Sequence, residues 1–109
     1  MLTLRADDRV LLLAIPPVLD LAAMARVLMA GSVVALGTSE EVDNARREMA
    51  EFDNVLFLEA SPERIPWRDQ FFTKVVVPPH LERLLPEISN EIHRLLAPGG
   101  TIVSSGVDV

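Results

Sequence analysis

The tightest constraint on this chain is a run that does not alternate. Val10-Leu11-Leu12-Leu13-Ala14-Ile15 is apolar throughout and is closed by Pro16-Pro17. A strand with one face in water reads apolar and polar by turns, because successive side chains point to opposite sides of the sheet. A run without that alternation has to be covered on both faces, the condition of a strand inside a parallel sheet. Short apolar runs recur at residues 32–36, 54–58, 72–77 and 101–105, which makes five expected strands.

The segments between them read as helices or loops. In residues 18–30, Leu21, Met24, Ala25 and Leu28 fall at helical spacing, and Gly31 stands where a helix commonly stops. Thr38 and Glu41 fit a capping box, with Ser39 an equally suitable cap. The helix after them is expected to bury Val42, Ala45, Met49 and Phe52 and to carry its charges on a solvated face, with Asp43 and Arg47 four apart as a weak pair. Residues 81–97 are helical in pattern, with Leu84, Leu85, Ile88, Ile92, Leu95 and Leu96 inward. Pro86 suits a first turn and disrupts an interior, so the main helix is expected to start there, after a separate turn at residues 80–85. Pro98-Gly99-Gly100 is expected to stop it. Strands alternating with helices imply parallel strands joined by right-handed crossovers, in the order 3-2-1-4-5. Ligands of such sheets bind outside the carboxyl ends of the strands, at the switch between strands 1 and 4.

Composition narrows the function classes. With 109 residues, the chain fits a single domain spanning residues 1–109, and 50% hydrophobic residues suffice for a core. Sixteen acidic against ten basic residues leave a net charge of -6, which argues against nucleic acid or an anionic membrane as partner. There is no Cys, hence no disulfide framework, thiolate metal site or Cys nucleophile. The two histidines, His80 and His93, lie thirteen positions apart with no carboxylate cluster, which gives no metal-ligand spacing. The longest apolar run is broken by Pro16-Pro17, and Asp20 and Arg26 interrupt any longer stretch. The first eight residues lack a basic start followed by an apolar stretch. A cytoplasmic protein without membrane contact is expected.

Three stretches carry a resemblance to a known family. They are residues 33–41 (Val-Val-Ala-Leu-Gly-Thr-Ser-Glu-Glu), 65–72 (Ile-Pro-Trp-Arg-Asp-Gln-Phe-Phe) and 95–103 (Leu-Leu-Ala-Pro-Gly-Gly-Thr-Ile-Val). In order and spacing the chain resembles the class I S-adenosylmethionine-dependent methyltransferases, in their small-molecule branch, from about Arg9 to Ser105. The resemblance implies an α/β, Rossmann-like three-layer sandwich on a five-stranded parallel sheet.

At the cofactor's anchors the chain departs from the family. The family's first strand ends in an acid and a glycine-rich turn; here Leu12 stands for the acid, and Ala14, Pro16 and Val18 for glycines. Proline has no N–H to donate and a fixed φ. The acid that in the family ends strand 2 and grips the ribose hydroxyls is replaced by Gly37, and the one facing the adenine by Ser61. Trp67 matches an aromatic position near the adenine and either lines a residual pocket or covers the sheet edge. His80, after strand 4, is a general-base candidate or a polar loop residue. Glu59, Glu63 and Asp69, in or near the loop before strand 4 with Arg64 and Arg68, read as a carboxylate pair for acid–base work or, in preference, as solvated loop charges. The residual crevice therefore comprises Ile15, Pro16, Gly37, Thr38, Ser61, Trp67 and His80, with no catalytic residue and no metal.

With the cofactor loop filled, the expectation is a chain without cofactor: a non-catalytic methyltransferase-like domain that associates with itself or another protein. The alternative is a small S-adenosylmethionine-dependent methyltransferase, or a nucleoside-binding protein, with an atypical loop. A bare edge on strand 5 invites pairing, so a homodimer is expected unless residues 106–109 fold back over it.

Overall fold

A computed structural model describes residues 3–104. Strand β1 (Arg9–Leu12) leads to helix α1 (Val18–Val27), strand β2 (Ser32–Gly37), helix α2 (Ser39–Glu48) and strand β3 (Val55–Glu59). Strand β4 (Phe72–Val77), a 3₁₀ turn (Pro79–Leu84), helix α3 (Leu85–Leu95) and strand β5 (Leu96–Ser104) follow. The sheet is five-stranded and parallel in the order β3-β2-β1-β4-β5. This is the expected Rossmann-like α/β architecture. Among the described residues, no helix is long and apolar enough to cross a membrane.

The unbroken apolar runs are explained by helices on both faces. On one face Val10, Leu12, Val33, Ala35, Val55 and Phe57 pack beneath α1 and α2. On the other, Leu11, Leu13, Val34, Leu36 and Val75 meet Ile88, Ile92 and Leu95 of α3. Full burial of such a side chain contributes ~1.5–3 kcal/mol. Ser105 and residues 106–109, on which the fold-back alternative depends, lie outside the described residues.

Several boundaries differ from the sequence reading, each for a tertiary reason. β1 is shorter than residues 10–15: after the Leu13 N–H donates to the Val76 carbonyl at 3.2 Å, the chain leaves the sheet. α1 stops at Val27, so Gly31 is not its stop signal. A Cβ on Gly31 would lie 2.0 Å from the Asp8 carbonyl oxygen; glycine is there because two backbone segments pass too close for a side chain. Pro98-Gly99-Gly100 does more than end a helix: it lies inside β5, where the register against β4 shifts between Phe72 and Lys74, and Gly99 takes φ 79°. Arg47 donates to Asn44 rather than pairing with Asp43. Pro86 does fall in the first turn of α3.

At the amino ends of the strands, Asp8 is buried. Burial tends to raise its carboxyl, but hydrogen bonds from the Arg5 N–H at 2.7 Å and the Thr73 hydroxyl at 2.7 Å outweigh that and hold it below the usual carboxylate value. The contact pins the N-terminal segment to β4.

Candidate functional site

The carboxyl ends of the strands are where a parallel α/β sheet receives a ligand, because the connecting loops part there. A cavity of about 570 Å³ opens over the ends of β1, β2 and β3. That volume lies in the range of small-molecule sites, ~300–1,000 Å³. Its walls include Ala14 after β1, Gly37 and Thr38 at the end of β2, Glu59 and Ser61 at and after β3, and His80 after β4. Leu13, Ala14 and His80 also line an adjoining recess of about 230 Å³, completed by Ile15, Pro16, Met24, Val76 and Pro78. The crevice thus has a polar half at β2–β3 and an apolar half at β1–β4.

The polar half is locally well determined. The Thr38 N–H donates to the Glu41 carboxylate at 2.8 Å, and the Glu41 N–H donates to the Thr38 hydroxyl at 3.2 Å, which completes the expected capping box. A Cβ on Gly37 would fall 2.8 Å from Ile15 Cδ1 and 3.2 Å from Glu41 Oε1, so β2 ends without a side chain. The Ser61 hydroxyl accepts from the Glu63 N–H at 3.3 Å, inside a tight turn closed by a bridge to Arg64.

Gly37, Thr38, Ser61 and His80 line the same cavity. Pro16 lines the apolar recess, and Ile15 lines it too while its Cδ1 reaches against Gly37. Trp67 does not join them. Its ring centroid lies 5.5 Å from that of Phe71 and 5.7 Å from that of Phe72, and it borders a separate hollow with Arg64 and Arg94. Its indole Nε1 is buried with no hydrogen-bond partner among the described residues.

Two residues of consequence escape the sequence reading. Glu59 is no loop charge: it is the last residue of β3, pairs in register with Gly37, and lines both the polar cavity and the Trp67 hollow. Counting Val55, Phe57 and Glu59 along one strand face would have found it. Arg94 ties the β3–β4 loop to α3. It donates to the Ile65 carbonyl at 2.8 Å and the Trp67 carbonyl at 2.9 Å, and pairs with Asp69 at 2.6 Å and Glu91 at 2.8 Å. Glu91 in turn accepts from the Ile65 N–H at 2.6 Å. The Arg94 guanidinium is the main reason that the Glu91 carboxyl is held down to about 2, and its partners push Arg94 itself up. No local sequence signal joins a helix arginine to a loop twenty-five positions upstream.

The comparisons with known proteins agree with this architecture. A family model described as a methyltransferase domain matches residues 18–104. No curated protein matches. Among solved structures, the YcgJ protein from Bacillus subtilis is similar at 22% identity and TM-score 0.77, over 92% of this chain and 44% of that one. A SAM-dependent methyltransferase from Aquifex aeolicus is similar at 19% identity and TM-score 0.78, over 92% of this chain and 56% of that one. Geranyl diphosphate C-methyltransferase from Streptomyces coelicolor, in complex with Mg²⁺, geranyl-S-thiolodiphosphate and S-adenosyl-L-homocysteine, is similar at 17% identity and TM-score 0.77, over 92% of this chain and 37% of that one. The chain spans about half the length of the first two and 37% of the third. At such identities the likeness shows the fold.

These findings correct the expectation of a chain without cofactor. The family is one of methyltransferases; of the similar proteins, the Aquifex one is SAM-dependent and the Streptomyces one holds S-adenosyl-L-homocysteine. The sequence reading let the side chains of the turn after β1, with its prolines, decide against the cofactor as a whole. Pro17 instead caps α1, Pro16 borders the apolar recess, and neither lines the cavity over β2 and β3.

Proposed function

The chain belongs to the methyltransferase domain family, and on that premise we propose that it binds S-adenosylmethionine through the nucleoside and serves methyl transfer from it. The observation that carries this reading is the cavity of about 570 Å³ at the carboxyl ends of β1 to β3, with polar groups on its β2–β3 wall. The reading as a non-catalytic domain rested on a filled cofactor loop, on Gly37 and Ser61 in place of acids and on a bare β5 edge; the cavity over β1 to β3 speaks against the first of these.

The residues fit the group in part. The polar half, at Gly37, Thr38 and Ser61, would hold the nucleoside. The apolar half, at Ile15, Pro16 and Met24, would face the methylenes of the methionine chain and leave its amino and carboxylate groups in water. When bound, the cofactor supplies an electrophilic methyl group on a sulfonium. His80 borders both halves and is the imidazole nearest to where they meet.

Melting the protein with S-adenosylmethionine or S-adenosylhomocysteine tests the proposal. Ligand at a hundred times its dissociation constant stabilises by ~2.7 kcal/mol, a rise of roughly 10 °C for a domain of this size. An unchanged midpoint at millimolar ligand would sink it.

Self-association remains a second reading for one reason: β5 is an edge strand of nine residues, with Ile102 37% exposed. Unpaired edge groups beside apolar side chains favour pairing with a second copy. Light scattering of the 12.0 kDa chain at micromolar concentration should return about twice that mass; the monomer mass overturns it.

A further inference from the structure

The polar half of the crevice contains a carboxylate that its own fold does not use. Gly37 ends β2, and the crowding by Ile15 and Glu41 leaves no room there for a side chain. Glu41 lines the same cavity, but one of its carboxylate oxygens is committed to the capping box. Glu59 is different. It sits on the neighbouring strand at the level of Gly37, so the two residues point to the same face of the sheet about one strand spacing, ~4.8 Å, apart. It is exposed, lines the cavity, and has neither a hydrogen bond nor an ion pair for its carboxylate among the described residues.

A carboxylate can only accept, and it accepts best from two hydroxyls that it can reach together. The group in a nucleoside with that arrangement is the ribose 2′,3′-diol. We infer that Glu59, from β3, grips the ribose diol at the wall of the cavity that it lines beside Gly37. The inference rests on the nucleoside reading of the crevice and adds a residue to it. β3 holds the Glu59 Cα in register with Gly37, so little backbone ordering remains to be done at binding.

Calorimetric titration separates the possibilities. S-adenosylhomocysteine is titrated into the native chain, Glu59→Gln and, as a control, Glu40→Gln, whose position on α2 lies outside the cavity. Adenosine and 2′,3′-dideoxyadenosine are then compared on the native chain and on Glu59→Gln. Removing one charge-assisted acceptor should weaken S-adenosylhomocysteine about 10- to 100-fold in Glu59→Gln and leave Glu40→Gln near native. The native chain should discriminate against the dideoxy compound, and Glu59→Gln should lose most of that discrimination. Equal affinity of Glu59→Gln and the native chain overturns the role of Glu59 and leaves the proposed function standing. Weakened binding with unchanged discrimination between the two nucleosides also overturns it, since the carboxylate then acts elsewhere. If the native chain binds none of the three compounds at millimolar concentration, both readings fall.

Discussion

On one side of the crevice, β2 and β3 end in Gly37, Thr38, Glu59 and Ser61; on the other, β1 and β4 run into Ile15, Pro16 and Pro78. Both sides are carboxyl ends of parallel strands, and both rest on the same sheet. The β2–β3 side offers hydroxyls and a free carboxylate. The β1–β4 side offers aliphatic surface, and each proline there has removed an N–H. The strand ends are held by register, while the turn after β1 lies outside the paired strands. Binding chemistry can therefore be kept on one side while the other is rebuilt in apolar residues.

This contrast can be broken at its support. The polar side depends on the β3–β4 loop, which Arg94 fastens to α3. Arg94→Met strips the loop of its donors and leaves Glu91 without its guanidinium. A loss of ~2–3 kcal/mol is expected, a fall of about 10 °C or more in the melting midpoint. A midpoint within a degree or two of native would show that the loop stands without the clamp.

Acid should act on the same support more gently. The Glu91 carboxyl, at about 2 in the fold against 4.5 when unperturbed, is stabilised in its charged form. Its contribution is complete above pH 4.5 and is lost as the pH falls through 2. Between those values the native chain should lose roughly 1–3 kcal/mol that Glu91→Gln does not lose, allowing for solvent screening. Parallel melting curves of the two proteins over that window would contradict it.

The contrast sharpens with a shorter ligand. If the apolar half gives an amino-acid tail nothing to hold, 5′-methylthioadenosine should bind within about threefold of S-adenosylhomocysteine, ~0.7 kcal/mol. An advantage of thirtyfold or more for S-adenosylhomocysteine would mean that the tail finds polar partners after all.

The smallest effect is expected from Pro16→Gly. Restoring a glycine loosens the unfolded chain and costs ~0.4–1 kcal/mol of stability. It also returns one N–H to the turn, so the preference for S-adenosylhomocysteine over 5′-methylthioadenosine should grow by a few-fold. A preference that shrinks would place Pro16 among the ligand's favourable contacts.

The architecture was legible in the sequence because its signals are local. Unbroken apolar runs place the buried strands, Thr38 and Glu41 place the start of α2, and Pro86 places the start of α3. Hydrophobic periodicity depends on neighbours a few residues apart, so a linear reading recovers it. The crevice was legible only in part. Gly37, Thr38, Ser61 and His80 meet there because each follows a strand end. That Pro16 turns away from the cavity, that Glu59 stands level with Gly37, and that Arg94 reaches back to Ile65 and Trp67 were decided by the tertiary structure. Strand register and loop path are set by packing between segments distant in the chain, which no local pattern encodes.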